Sequence, residues 1–358
     1  MLRLLLGLAV TAAFTAWFVL GAQWESIGRA LIEVEPLWAL AAAGVLFTEF
    51  LLRAWRWKVL LSPLAPQARF GRLFVATVVG MGLNVVLPFR AGDVARPLLG
   101  QRETGVSWVP LVTVAVAERL LDVFGLVCVF LVMSGTLPTA LPEGGELAAN
   151  LQLYGSVIGM AGVLALLGCV MLAHREDPAR RFARRLADSL PAAWGVRWMA
   201  VLDALLAGLA FTRDRRALAA AALASIAHWF NGALSIFLLF RAFDMDLPFA
   251  AACFTTVAVA LTVALPQAPG FFGVFHVAIE RTLVLWGQSP GPAEAFAILF
   301  WAVSFVPVTA LAWWFAAREG LRWRTLVDED APRGALRGAG PPPRERTGKI
   351  PPRRTGAR

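Results

Sequence analysis

The run Trp108–Met133 is apolar except for three ionisable side chains near its middle, Glu118, Arg119 and Asp122 of AERLLD. A charged group at the centre of a membrane-crossing helix costs about 2.5–3.5 kcal/mol on insertion scales, so it is retained where it meets partners or a polar cavity. At helical spacing Glu118 and Asp122 share one face, and Arg119 reaches Asp122 across a single turn. The remaining partners must come from elsewhere. The stretch NVVLPFRAGDVARP (84–97) supplies Arg90, Asp93 and Arg96, with the two arginines expected opposite Glu118 and Asp122, and Asp93 opposite Arg119. Glu49 and Arg53 form an i,i+4 pair in Pro36–Leu61, and Ala217–Phe240 carries His228 and Asn231. PQAPGFFGVFHVAIER (266–281) adds His276, Glu280 and Arg281.

Two chemistries fit these residues. In one, the charges neutralise each other and clip helices together, which by itself implies no ligand. In the other, Arg90, Arg96 and Arg119 present forked donors matched to phosphate or carboxylate. Catalytic constellations are harder to find. The three histidines are dispersed, the cysteines Cys128, Cys169 and Cys253 stand apart inside apolar segments, and no phosphate-binding glycine loop is present. No metal site and no cofactor are therefore expected. A membrane enzyme with a carboxylate base and an arginine clamp remains the alternative.

The elements that must position these groups follow from composition. Of 358 residues 58% are hydrophobic and 16% charged, against about a quarter charged in soluble domains. The expectation is an all-α polytopic membrane protein. Runs of about 20 apolar residues predict spans at Leu4–Ala22, Pro36–Leu61, Trp108–Met133, Leu153–Ala173, Ala217–Phe240 and Ala293–Ala317. The first resembles a signal peptide core but lacks a convincing cleavage site, and is read as a retained span. Although the net charge is +9, the arginines cluster at 174–216 and after 318, the pattern of cytoplasmic loops rather than of nucleic-acid binding. Ser134–Leu153 contains neither Lys nor Arg and is read as external. Both termini are then cytoplasmic, with Arg53, Arg56 and Lys58 closing the second span on that side. A basic, Pro-rich tail (321–358) is too poor in apolar residues to pack.

Two apolar runs remain, Leu73–Leu87 and Phe249–Leu265, each ending in a break. Asn84, Pro88 and Gly92 mark the first; Pro266, Pro269, Gly270 and Gly273 mark the second. Side parity requires each segment to enter and leave by one face, so six full spans and two re-entrant hairpins are predicted. Halves at about 1–133 and 153–317 are then inverted, an arrangement common in transporters. Eight full spans without hairpins is the alternative. Each break leaves a half-helix N-terminus, near Asp93 and near Gly273, where free N–H groups favour an anion.

LNVVLPFRAGDVARP, AERLLD and LPQAPGFFGVFHVAIE resemble three motifs of the transmembrane, flippase-like domain of lysylphosphatidylglycerol synthases, over about residues 1–320. The resemblance implies functional weight for Asn84, Pro88, Arg90, Gly92, Asp93 and Arg96, for Glu118, Arg119 and Asp122, and for Pro266, Pro269, Gly270, Gly273 and Glu280. His276 departs from it, standing where the family more often has an acid. Synthase activity is not expected, because only about 40 residues follow the last apolar run. The implied role is movement of an anionic phospholipid or lipid-linked precursor between leaflets of the cytoplasmic membrane. An accessory subunit docking envelope-lipid or glycolipid biosynthetic enzymes through the arginine-rich loop 174–216 is a further reading. A segment around Val196–Phe211 reads as an interfacial helix, equally suited to anionic-leaflet binding and to anchoring topology. For the first hairpin, a cysteine placed at Ala91 is expected to react with an impermeant maleimide only from the cytoplasmic face; external labelling in intact cells would refute it.

Overall fold

The computed structural model describes residues 14–87, 91–134, 145–189, 191–264 and 269–318. Pro88, Arg90, Pro266 and the tail 321–358 lie outside the described residues, as does the start of the first apolar run. Among the described residues every regular element is helical. They are α1 (14–21), α2 (Trp24–Ile32), α3 (Pro36–Leu61), α4 (Phe70–Val86), α5 (Gly92–Thr104), α6 (Trp108–Ser134), α7 (Gly145–His174), α8 (Glu176–Asp188), α9 (Ala192–Gly208), α10 (Arg215–Ala242), α11 (Phe249–Ala264), α12 (Val274–Leu285) and α13 (Pro290–Arg318).

Local chemistry sets the boundaries that matter here. Pro36 opens α3 after an extended Glu35, its fixed φ suiting the first helical position. Leu87 is extended at the end of α4, as a residue before proline prefers. Asp93 occupies the first turn of α5, and Gly105 closes that helix at φ 71°, the left-handed cap glycine tolerates. At 17 and 16 residues α4 and α11 fall short of a bilayer. Among the described residues α3, α10 and α13 are long and apolar enough to cross, and a fourth crossing is reached if α7 and α8, bent by 85°, are taken together. The 27-residue α6 has the length, but carries Glu118, Arg119 and Asp122.

Both short helices fold back into antiparallel pairs. Along α4–α5 the contacts step outward from the break. Asn84 donates to Asp93 at 2.9 Å and accepts from the Asp93 N–H at 3.1 Å. Further out, Gly80 lies against Arg96, and Arg72 faces Glu103 at 3.7 Å. In α11–α12, Phe254 meets Trp286 edge-on at 6.3 Å.

The packing repeats between the halves. α3 packs on α4 as α10 does on α11, and α5 packs on α6 as α12 does on α13. Across the halves α13 packs on α4 as α6 does on α11. The most extensive contact joins α3 to α10. That seam is laced with polar side chains: the Ser235 hydroxyl donates to the Ala42 carbonyl at 3.0 Å, the Asn231 amide to the Val45 carbonyl at 2.8 Å, and the Thr48 hydroxyl to Asn231 at 3.0 Å. An aromatic cluster of Phe271, Phe275, Phe296 and Phe300 fills the core beside the second break.

Close approach explains Gly92. A Cβ there would lie 1.8 Å from the Gly80 carbonyl oxygen, whereas at Gly44 nothing lies within 4 Å. Gly92→Ala is expected to destabilise the fold by about 1–3 kcal/mol through overpacking. Gly44→Ala should be neutral or mildly stabilising. Thermal melting of the two purified proteins in detergent distinguishes them.

Candidate functional site: a guanidinium–carboxylate network beside apolar cavities

Arg56 is fully buried, and it organises the site. One terminal nitrogen donates to Asp122 at 2.6 Å and to the Ser225 hydroxyl at 2.7 Å; the other donates to Glu118 at 2.7 Å. In the sequence Arg56 serves only to mark the cytoplasmic end of α3; the structure adds that its side chain turns into the bundle. The carboxylates of α6 enclose it, because a buried guanidinium must be matched by charge and hydrogen bonds on the spot. A signal was present in the sequence: Glu49, Arg53 and Arg56 fall at i, i+4 and i+7, one stripe of α3.

Glu118, itself fully buried, also pairs with Arg96, whose guanidinium lies 4.5 Å from the centre of the Trp57 ring. The anticipated meeting of the first motif with AERLLD therefore occurs through Arg96 and Glu118. Arg119 takes Asp122 at 3.3 Å. Asp93, expected opposite Arg119, does act on it electrostatically; it is also held by Asn84 across the break, and with Arg119 it lines shared cavities. Arg53 binds Glu49 at 2.9 Å, as the spacing predicts, and meets His228 at 2.9 Å. Four guanidiniums, Arg53, Arg56, Arg96 and Arg119, thus stand with four carboxylates, Glu49, Asp93, Glu118 and Asp122.

The residues past the second break do not join this network. Glu280 pairs with its neighbour Arg281 at 3.2 Å. His276 is buried among rings, 4.4 Å from Phe272, 4.8 Å from Phe18 and 5.9 Å from Trp301. Around it the break is tightly built. Gly270 and Gly273 have φ of 81° and 80°, and the Trp301 indole donates to the Gly270 carbonyl at 2.7 Å. A Cβ at Gly273 would lie 2.4 Å from the backbone nitrogen of Thr15, so α1 seats directly on this turn. Pro269 begins the same turn.

Besides a cavity of about 250 Å³ lined by Arg96, Glu118 and Arg119 with Val112 and Val116, two cavities meet at the charged centre. One, of about 220 Å³, runs from Glu49, Arg53, Asn84, Asp93, Arg96 and Arg119 to an apolar end at Phe271, Phe275, Phe300 and Phe305. The other, of about 650 Å³, lies between α6 and α11, walled by Leu126, Phe130, Phe254 and Val257. Arg53, Asp93 and Arg119 border both. The Arg119 side chain is 42% exposed, against 1% for Arg56 and 8% for Arg96. Of the three it is the one placed to meet a ligand. The arrangement offers one polar centre flanked by hydrocarbon walls, which suits an amphiphile with a charged head.

A family model described as the lysylphosphatidylglycerol synthase TM region matches residues 4–312. Among curated proteins, the glycosyltransferase AglD of Haloferax volcanii is 25% identical over 319 residues. That match covers 83% of the present chain and 51% of the relative, so the chain spans about half the relative's length. No solved structure matches.

Burial separates the arginines by role. Arg56→Ala leaves Glu118 and Asp122 short of a partner in the interior, and is expected to cost about 3–5 kcal/mol. Arg119→Gln, at a cavity wall, should leave the melting temperature nearly unchanged. Melting curves of both variants in detergent test the assignment, and similar losses would overturn it.

Proposed function

The chain belongs to the lysylphosphatidylglycerol synthase transmembrane-region family, and from that premise we propose that it moves an anionic phospholipid or lipid-linked precursor between leaflets. The observation that carries this reading is the charged centre shared by two apolar cavities. Arg119 binds the head-group phosphate, with Arg53 and Arg96 at the rim, while the hydrocarbon remains against the phenylalanine and aliphatic walls. Because the network already holds matched charges, an arriving phosphate takes Arg119 by exchange with Asp122, not by filling a charge deficit. Arg90 is proposed as a further head-group contact.

Fold-back of α4–α5 and α11–α12 supports two re-entrant hairpins, and the repeated packing order supports inverted halves around them. In this reading the first apolar run Leu4–Ala22, α6 and α7 join α3, α10 and α13 to make six crossings, the arginine-rich 174–216 segment faces the cytoplasm, and both termini lie on that side of the cytoplasmic membrane. Enzymes of envelope-lipid or glycolipid synthesis are the proposed partners.

A second reading, an integral-membrane transferase on a lipid-linked substrate, is favoured by the name of the haloarchaeal relative. It would use Asp93 or Glu49, both bordering a cavity, as the base beside an arginine clamp.

Purified protein in liposomes with leaflet-labelled fluorescent lipids tests the two together. Transport predicts exchange that favours anionic lipid. Loss of one charge-assisted contact, worth about 1.5–3 kcal/mol, should slow it about tenfold or more in Arg119→Gln, at unchanged melting temperature. Absence of exchange for every lipid by folded protein would sink the transport reading. Formation of a new lipid-linked product from a supplied sugar donor would establish the enzyme.

A further inference from the structure

The α8–α9 hairpin takes no part in the charged site, yet its surface is unusual. α8 leaves the axis of α7 at 85°. If α7 crosses the bilayer, α8 therefore lies in the membrane plane. Its first turns are pinned to the rest of the protein: Arg180 pairs with Glu176 and with Asp203 of α9, and Arg213 pairs with Glu176. Ala183 is buried, and a Cβ at Gly195 of α9 would lie 2.8 Å from the Ala187 carbonyl. The two helices thus form one fixed unit, which α9 seats on α6 through Gly208 against Thr113 and Pro110.

What this unit turns outward is apolar and basic together. On α9, Trp194, Trp198, Val201 and Leu205 follow one another at i, i+4, i+7 and i+11 and are all exposed, Trp194 by 63%. On α8, Phe182 and Leu186 at i and i+4 are exposed, Phe182 by 64%. Arg181 and Arg185 flank that pair, and Arg197 flanks the α9 stripe with its guanidinium 5.8 Å from the centre of the Trp194 ring. Among the described residues no acidic side chain pairs with Arg181, Arg185 or Arg197. Tryptophan on an apolar stripe bordered by unpaired arginines is the composition of a helix that beds into the head-group boundary of an anionic leaflet.

We infer that α8–α9 is a membrane-surface element that binds anionic lipid head groups, its Trp194–Leu205 stripe immersed at the acyl boundary and Arg181, Arg185 and Arg197 at the phosphate level. The occupant is the leaflet itself. The face is continuous with the bilayer that surrounds α7, and its charge complements that leaflet. It does not depend on the protein being a transporter.

The test uses the full chain in vesicles, with Cys128→Ala, Cys169→Ala and Cys253→Ala providing the background. An environment-sensitive fluorophore is attached at Val201→Cys on the stripe, or at Val196→Cys on the opposite, exposed face of the same helix. In vesicles with about one-third phosphatidylglycerol, the probe at 201 should be blue-shifted and quenched by lipid-borne spin labels, and the probe at 196 should not. The quenching at 201 should fall severalfold in pure phosphatidylcholine, in about 0.5 M salt, where the Debye length is only a few ångströms, and in the triple variant Arg181→Gln/Arg185→Gln/Arg197→Gln. Equal aqueous exposure at the two sites would overturn the proposal. So would quenching at 201 indifferent to lipid charge. Protection of 201 only after addition of cytosolic protein would assign the stripe to a protein partner, also against the proposal. Should the cysteine-free background not fold, difference quenching by brominated lipids, native protein against Trp194→Phe/Trp198→Phe, reads the same contact.

Discussion

A guanidinium with no access to water has to find its counter-charges within hydrogen-bond reach, and Arg56 imposes that condition on the whole bundle. It draws Glu118 and Asp122 of α6 and Ser225 of α10 toward α3. Glu118 in turn takes Arg96, which fixes α5 against Trp57. Four helices from both halves are thereby referred to one side chain. Replacing such a cluster by packed hydrocarbon is often neutral or stabilising in other proteins, so its presence here is better explained by the site it borders than by stability. Arg119 sits at the edge of the cluster with its guanidinium open to the cavities, and the buried members hold it in position.

Much of this was legible in the residue order. Charges within AERLLD demanded partners, and the first motif was the natural source; Arg96 does meet Glu118. The Glu49–Arg53 pair follows directly from helical spacing. Arg56 was missed as a member of the network because its neighbours Arg53 and Lys58 invite an interpretation by side of the membrane, and that rule concerns loops and helix ends, not the direction a side chain takes inside a bundle. Asp93 acts on Arg119 as expected and also takes Asn84, because the fold-back brings these two face to face across the break, a register that no linear pattern encodes. His276 and Glu280 looked like a continuation of the network. They sit past the second break, His276 among the rings of Phe18, Phe272, Phe275 and Trp301 and Glu280 paired with Arg281, where the sequence separation conceals how far the two breaks serve different surroundings.

Membership in a family of membrane domains makes the interior of the bundle the place to look for function. The relative bears a glycosyltransferase name and extends well beyond the shared portion. What this chain contributes on its own is an amphipathic interior: charged residues at the junction of two chambers whose remaining walls are hydrocarbon. The two glycine-dependent breaks are the devices that make such an interior possible, since each lets a helix end inside the protein with its neighbours close by.

The seam between α3 and α10 has a mechanical consequence. Ser235, Asn231, Thr48, His228, Arg53 and Ser225 with Arg56 engage one another or opposing carbonyls along its length. Single interhelical hydrogen bonds in a membrane average only about 0.6 kcal/mol. Here, however, they are registered like the teeth of a rack. Sliding one helix past the other by one turn, about 5.4 Å, would disengage the whole set at once, with no water in the bilayer to take their place. The centre of the molecule therefore behaves as a keyed shaft. Any motion that opens a cavity must be carried by the helices around it, those of the two folded-back pairs, turning about a core that cannot slip.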